Sequence, residues 1–427
     1  MSLKPWVLGV GMAMTTALAL AFQLDRRSIF LPGTTTDGHH AIESSCNSCH
    51  VPFASVANKN CTGCHDMELK EDTHPVKLFD DPRWAEMLQK VNVMECVNCH
   101  REHQLAARGV TVDLKFCFPC HDDVTVKRAS HRNLSPNSCW DGGCHNYHDN
   151  SVLNIAFLKK RFGPYAAPPP GAVFERITGT ETFLSPTPDA PAARVTSPET
   201  LRRWRKSLHA QRDVNCSECH GQNASFLALP EASACSRCHT SEAQSFQRGK
   251  HGARLAVQLP PLKPGDARQR MKQPTVKTGL TCSTCHDPHS VDTHRAAVEA
   301  CLGCHDDRHS KNFKGSKHEV LFSAETGTAR PSAAAVTCAT CHMPRLRLGN
   351  EKTGRVVVNH NNSWTLQPRD RMIKEVCLAC HTLELALNSM FDEELIQNNF
   401  KGTPKRKHET LTMVEAYSDE KTGKGGN

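Results

Sequence analysis

The chain has 427 residues, among them 22 cysteines and 25 histidines, with 38% hydrophobic and 6% aromatic residues. So polar a composition excludes a large core built from side chains alone, and another group must fill the interior. The formal charge of +8 keeps a polyanionic partner open only until bound groups are counted.

Residues 1–30 carry Lys4, then seventeen mainly apolar residues from Trp6 to Phe22, then Asp25, Arg26 and Arg27. This is the pattern of a secretory signal or signal anchor. Ala19 and Ala21 offer an A-x-A cleavage site. Seventeen residues just suffice for a thin span, and a retained transmembrane anchor is the expectation, with a cleaved signal as the alternative. No other stretch is long and apolar enough.

Residues 38–152 form a first module with four C-x-x-C-H motifs: Cys46/Cys49/His50, Cys61/Cys64/His65, Cys96/Cys99/His100 and Cys117/Cys120/His121. A fifth is stretched to four intervening residues, Cys139/Cys144/His145. Residues 153–200 read as a linker, with eight prolines between Pro164 and Pro198. The alternative is one continuous assembly with this stretch as a strap along its surface.

Residues 201–400 form a second module with six motifs: Cys216/Cys219/His220, Cys235/Cys238/His239, Cys282/Cys285/His286, Cys301/Cys304/His305, Cys338/Cys341/His342 and Cys377/Cys380/His381. It contains a duplication. The segments Cys216–His239 and Cys282–His305 each hold two motifs, and each is followed by a phenylalanine and a histidine at one fixed separation, Phe246/His251 and Phe313/His318. A helix is predicted from Val376 to about Asn398, on Leu378, Leu383, Leu385, Leu387, Met390 and Leu395. Residues 401–427 are polar and lysine-rich and read as a flexible tail.

Eleven motifs consume all 22 cysteines, which leaves none for disulfides. C-x-x-C-H is the attachment motif of c-type haem. Two intervening residues set the thiols about one turn apart, each able to form a thioether with one porphyrin vinyl group, and the adjacent histidine faces the iron. Structural zinc would need four ligands per ion and would not require a histidine beside every second cysteine. The reading is therefore 11 haem c. In the stretched motif Trp140, Asp141, Gly142 and Gly143 must loop out, and a leftover cysteine pair is the alternative there. Counting the iron and propionate charges gives roughly −3 oxidised and −14 reduced, so nucleic acid is not a partner. The fold class is mainly α with extensive irregular loops, a multihaem cytochrome c whose core is packed haem. Haem c is attached after export, which puts these residues on the periplasmic side of the inner membrane, N-terminally anchored, or secreted if the signal is cleaved.

Fourteen histidines are left for the opposite faces of eleven irons. In the first module the distal candidates are His39 or His40, His74, His103, His131 and His148. In the second they are His209, His251, His289, His318 and His360, with His294 or His309 as a sixth. His103, His148 and His289 each follow a proximal histidine by three residues, which aims the second ring at a neighbouring iron. His408 reads as solvated and Met343 as packing. Two histidines per iron imply low potentials.

With dense motifs, a stretched C-x4-C-H and interleaved histidines, the first module resembles the class III, cytochrome c3-type proteins. The second resembles the superfamily of pentahaem cytochrome c nitrite reductase and octahaem hydroxylamine oxidoreductase. That resemblance is carried by Cys338-Ala-Thr-Cys-His342-Met-Pro344, His360-Asn-Asn and the stretch after Cys377-Leu-Ala-Cys-His381. It implies haem packing of that kind. The active-site C-x-x-C-K of the nitrite reductases is absent, and the second module has no tyrosine before Tyr417 to match the one used by the oxidoreductases.

The leading expectation is an electron carrier rather than an enzyme. It would link a membrane quinol or dehydrogenase partner to a periplasmic or extracellular redox protein. Arg202, Arg203, Arg205, Lys206 and Arg212 form a candidate docking patch. The alternatives are reduction or oxidation of a small nitrogen or sulfur species at one five-coordinate haem of the second module, and a conducting filament in which His39 or His40 ligates the next subunit.

Overall fold

The computed structural model describes residues 5–23, 33–69, 72–90, 92–103, 117–132, 134, 143–161, 187–194, 197–272, 279–323, 335–348 and 355–422. Cys139, Trp140, Asp141 and Gly142 of the stretched motif, and most of the proline-rich stretch, lie outside these residues.

Each of the ten regular motifs builds one turn. The N–H of the histidine donates to the carbonyl of the first cysteine in His50→Cys46 (2.8 Å), His100→Cys96 (2.8 Å), His239→Cys235 (3.0 Å), His305→Cys301 (2.9 Å) and His381→Cys377 (2.8 Å). That i to i+4 bond puts both thiols and the imidazole on one side of a single turn. Several turns are started by a polar cap: the Asn215 side chain accepts from Cys216 N–H, and Thr337 from Thr340 N–H. Repeated turns separated by loops give a mainly helical chain of short elements, as the sequence predicts. The only sheet among the described residues is an antiparallel hairpin, β1 Arg345–Leu348 and β2 Arg355–Val358, with Arg345 opposite Val358.

The largest apolar cluster joins three distant segments: Val152, Leu153 and Leu158; Met372, Ile373, Leu383, Leu387 and Met390; and Leu411 and Val414. A smaller one holds Val298, Phe313 and Phe322. The end of the first module therefore packs on the last motif of the second. A second junction is polar: Arg248 pairs with Asp66 (3.0 Å), Arg254 donates to the Ala41 carbonyl (3.0 Å), and Arg268 pairs with Asp37 (2.6 Å).

Three expectations are corrected. The helix expected over 376–398 is broken. A wide turn at Met372–Val376 runs into Cys377–Ala379, and new helices start at Leu383 and Glu393 because Thr382 and Asp392 cap them, accepting from Leu385 and Leu395 N–H. The polar tail is ordered through Thr422: Glu409–Thr422 is a helix whose Leu411 and Val414 are fully buried. At the N-terminus Pro5–Gln23 is helical, but among the described residues no helix is long and apolar enough to cross a membrane. At 1.5 Å per residue it falls short of a hydrocarbon core of about 30 Å.

Candidate metal centre: paired imidazoles

Every motif histidine faces one further histidine. In the first module the ring centroids of His50 and His103 are 6.1 Å apart, His65 and His39 5.9 Å, His100 and His148 6.1 Å, His121 and His74 6.1 Å, and His145 and His131 6.0 Å. In the second, His220 and His289 are 5.9 Å apart, and His239 with His209, His286 with His360, His305 with His251, His342 with His309 and His381 with His318 are each at 6.1 Å. The separation is nearly constant, while the interplanar angle runs from 8° for His220–His289 to 84° for His74–His121. Aromatic contact would select an angle; a linker along the axis between two nitrogens fixes distance and leaves the rings free to rotate.

Two imidazole nitrogens bound to one ion at about 2.0–2.1 Å put ring centroids about 6 Å apart, whereas a direct N–H···N hydrogen bond would bring them roughly 1 Å closer. The gap thus fits one ion with two axial imidazoles. Among the described residues no three or more His, Cys, Asp or Glu side chains converge as a chelating cage would require. A metal with two protein ligands leaves its other positions to non-protein ligands, and the motif cysteines adjoining these pairs could tether a macrocycle that supplies them. At the fourth motif a cavity of about 480 Å³ is lined by Cys120, His121, Asp123, Val124, Lys127 and Arg128.

The far ring nitrogens are held. Nδ1 of His74 lies 2.6 Å from the Tyr147 carbonyl, His220 2.6 Å from Leu227, His360 2.9 Å from Val358, His103 3.1 Å from Gly33 and His209 3.2 Å from Pro288. A carbonyl can only accept, so these Nδ1 atoms carry the proton and Nε2 offers the lone pair. Gly33 is required where it stands, since a Cβ would lie 2.2 Å from the His103 carbonyl oxygen. His39 uses a carboxylate: its Nδ1 meets Glu102 at 2.7 Å. Against the upward push of burial, hydrogen bonds from His39 and Thr36 hold Glu102 down at about 2.

Burial, then neighbouring histidines, pushes His251 and His342 down to about 4. Burial also lowers His121, His131, His145, His286, His289, His305, His318 and His381. The neutral imidazole so favoured is the ligating form. Most motif thiols are pushed up by burial, Cys285 and Cys341 to about 11, and the described cysteines form no disulfide.

Thiols of different motifs meet at Cys61–Cys96, Cys235–Cys282 and Cys301–Cys338. At these three junctions successive motifs adjoin one another.

Cys144 and Cys238 have distinct surroundings. The Cys144 Sγ lies 3.2 Å from the Thr410 hydroxyl, and the residue packs against the apolar cluster around Leu153 and Leu411. The C-terminal helix brings Thr410 there, so the thiol is engaged by packing and a hydrogen bond. Cys46, Cys64 and Cys380 are exposed, and so is Cys238. Its N–H donates to the Cys235 carbonyl at 3.2 Å, which holds it in the motif turn, but Cys235 takes the inner position against Cys282 and leaves Cys238 on the outer side.

Three histidines stay outside the pairs. His40 sits 3.0 Å from Glu43, so His39 and not His40 takes the position opposite His65. His294 stacks on Phe322 at 4.2 Å, leaving His309 opposite His342. His408, expected in solvent, packs on Phe391 at 4.2 Å. The docking patch is half consumed: Arg202 pairs with Glu199 and Arg203 with Asp287. Sequence reasoning missed Glu102 and Phe400, whose ring lies 6.3 Å from His309 and 6.1 Å from His318. Neither residue belongs to a motif, and only the fold brings them to these sites. No family model matches the chain.

Proposed function

We propose that the protein is an undecahaem c-type cytochrome that conducts electrons and does no chemistry at its irons. It would link a membrane quinol or dehydrogenase partner to a periplasmic or extracellular redox partner. The observation that supports this best is the uniform separation of eleven histidine pairs, at 5.9–6.1 Å. The bound group supplies a metal that changes oxidation state by one electron with little movement of its ligands. The chain's own residues do the rest. The first and second cysteines of each motif would tether the macrocycle, and the motif histidine and its partner would ligate its metal. Backbone carbonyls and Glu102 fix the tautomer and rotation of the rings.

Pairing of His309 with His342 at 6.1 Å removes the ambiguity that left room for an open iron, which weighs against the reductase reading. With His39 opposite His65 at 5.9 Å and every other motif histidine also paired, no site is left wanting a histidine from a next subunit, which weighs against a filament by shared ligation. The likeness to cytochrome c3-type and hydroxylamine oxidoreductase-type proteins belongs to this proposal as a likeness of packing. The N-terminal helix directs export, and the remainder works on the periplasmic side.

The test is to express the chain in a host that exports and matures c-type cytochromes, then take its intact mass and its optical spectra with nitrite, hydroxylamine and sulfite. We expect the polypeptide plus eleven haems, and spectra that none of the three ligands moves. Fewer haems, or a spectrum shifted by one ligand with turnover, would overturn the proposal.

A further inference from the structure

The ordered C-terminal segment does more than close the apolar core. After the helix Glu393–Gln397, Asn399 and Phe400 both take left-handed conformations, with φ of 51° and 57°. This pair reverses the chain. The reversal is pinned to the metal sites: Asn399 Nδ2 donates to the His309 carbonyl at 3.1 Å, and the Phe400 ring rests near His309 and His318. The segment that follows is thereby laid beside residues 314–317, where Lys401 Nζ donates to the Lys314 carbonyl at 2.7 Å.

The result is a cationic face made of two segments far apart in sequence. Lys314, Lys317, Lys401, Lys405 and Arg406 are all exposed, and among the described residues none of these side chains is held in an ion pair. The neighbouring cations that do have carboxylate partners are excluded from this set: Arg308 pairs with Glu394 and Lys407 with Glu415. Lys317 directly precedes His318, Lys401 directly follows Phe400, whose ring lies 6.1 Å from His318, and Cys380 of the paired motif is exposed, so this end of the face adjoins the His381–His318 site.

We propose that this face is the docking surface for an acidic one-electron carrier protein, with the His381–His318 site as the port through which a single electron passes. The proposal rests on the electron-transfer reading above. Charge placed around a redox site raises encounter rates with a partner of opposite sign and orients its cofactor. An anionic membrane would be served by cations anywhere on the surface; convergence on an electron site is what a redox protein needs. The cluster at Arg205 and Lys206 is the weaker rival, because Arg202 and Arg203 beside it already have carboxylate partners.

The experiment uses the oxidised holoprotein and, as probe, flavodoxin hydroquinone, a strongly acidic donor. Its anionic hydroquinone gives one electron to ferric iron and becomes the neutral semiquinone, with the flavin proton count unchanged. Stopped-flow rates are taken across ionic strength for the native chain, for K314E/K405E/R406E and for R205E/K206E. We expect the triple reversal to slow reduction about tenfold or more at low salt and to flatten the salt dependence, with R205E/K206E close to native. Unchanged rates in the triple variant, or an equal loss in R205E/K206E, would overturn the assignment. So would loss of binding to phosphatidylglycerol vesicles with the flavodoxin rate intact, which would make the face a membrane contact. Haem count and low-spin spectrum are read on the same samples. If they fail, the electron-transfer reading fails; if they hold and the rate does not move, only the docking face does.

Discussion

His309 and His294 show how single residues divide between pairing with a motif histidine and packing on an aromatic ring. Both are sequence candidates for one position. His309 stands 6.1 Å from His342 with Nδ1 held by the Ile396 carbonyl at 2.5 Å, whereas the His294 ring lies flat on Phe322 at 4.2 Å. Replacing His309 by Ala should open one iron and convert one haem in eleven to a high-spin form that binds nitrite or cyanide. His294→Ala should leave every haem low-spin. Optical titration of the two variants checks this, and a high-spin signal from His294→Ala would reverse the assignment. Asp370 makes a different prediction. It is 2% exposed, accepts the Gly143 N–H at 2.9 Å, and burial pushes its carboxyl up to about 6. A carboxyl raised above its unfolded value contributes stability that is full below about pH 4 and lost as pH rises through about 6. Asp370→Asn keeps the acceptor without the charge. It should therefore stabilise the fold by on the order of 1–3 kcal/mol above pH 6 and by little at pH 4. Thermal unfolding at the two pH values measures the difference; equal melting shifts at both would contradict it.

Elements were legible where bonding is local. The motif turn follows from its spacing, and its i to i+4 bond forms within five residues. Helix breaks were harder to see. The apolar periodicity from Leu378 to Leu395 looks continuous, yet Thr382 and Asp392 inside it are capping residues that each start a new helix. Their side chains were the available signal. The C-terminal helix was hidden by its composition, since a short apolar run from Leu411 to Tyr417 in an otherwise lysine-rich stretch weighs little in a periodicity count. Leu411 and Val414 are nevertheless fully buried, against a core that also takes in Leu153 and Leu387. The same helix sets Thr410 against Cys144, a contact that motif spacing alone had no means of showing. Leu411→Ala should cost about 2–5 kcal/mol, read as a lowered unfolding midpoint of the holoprotein. A midpoint unchanged from native would mean the helix does not pack there in solution.

At the scale of the whole molecule, composition foretold that side chains alone would not fill the interior, and only short apolar clusters are found among the described residues. The division into two modules was drawn from motif gaps and proline content, which report chain length between sites and say nothing of contacts. The fold ties the halves together twice, through the core that Leu153 shares with Leu387, and through Arg248 on Asp66. Proximal histidines were readable because they adjoin their cysteines. Their partners were readable only as a pool, since choosing His318 for His381, or His251 for His305, requires the folded chain. The central claim is that the chain closes both axial positions of every iron with its own histidines. Electron paramagnetic resonance of the fully oxidised holoprotein, with iron quantified on the same sample, tests it most directly. Eleven low-spin ferric haems per polypeptide and no high-spin signal are expected. A stoichiometric high-spin haem, or fewer than eleven irons in the intact chain, would contradict it.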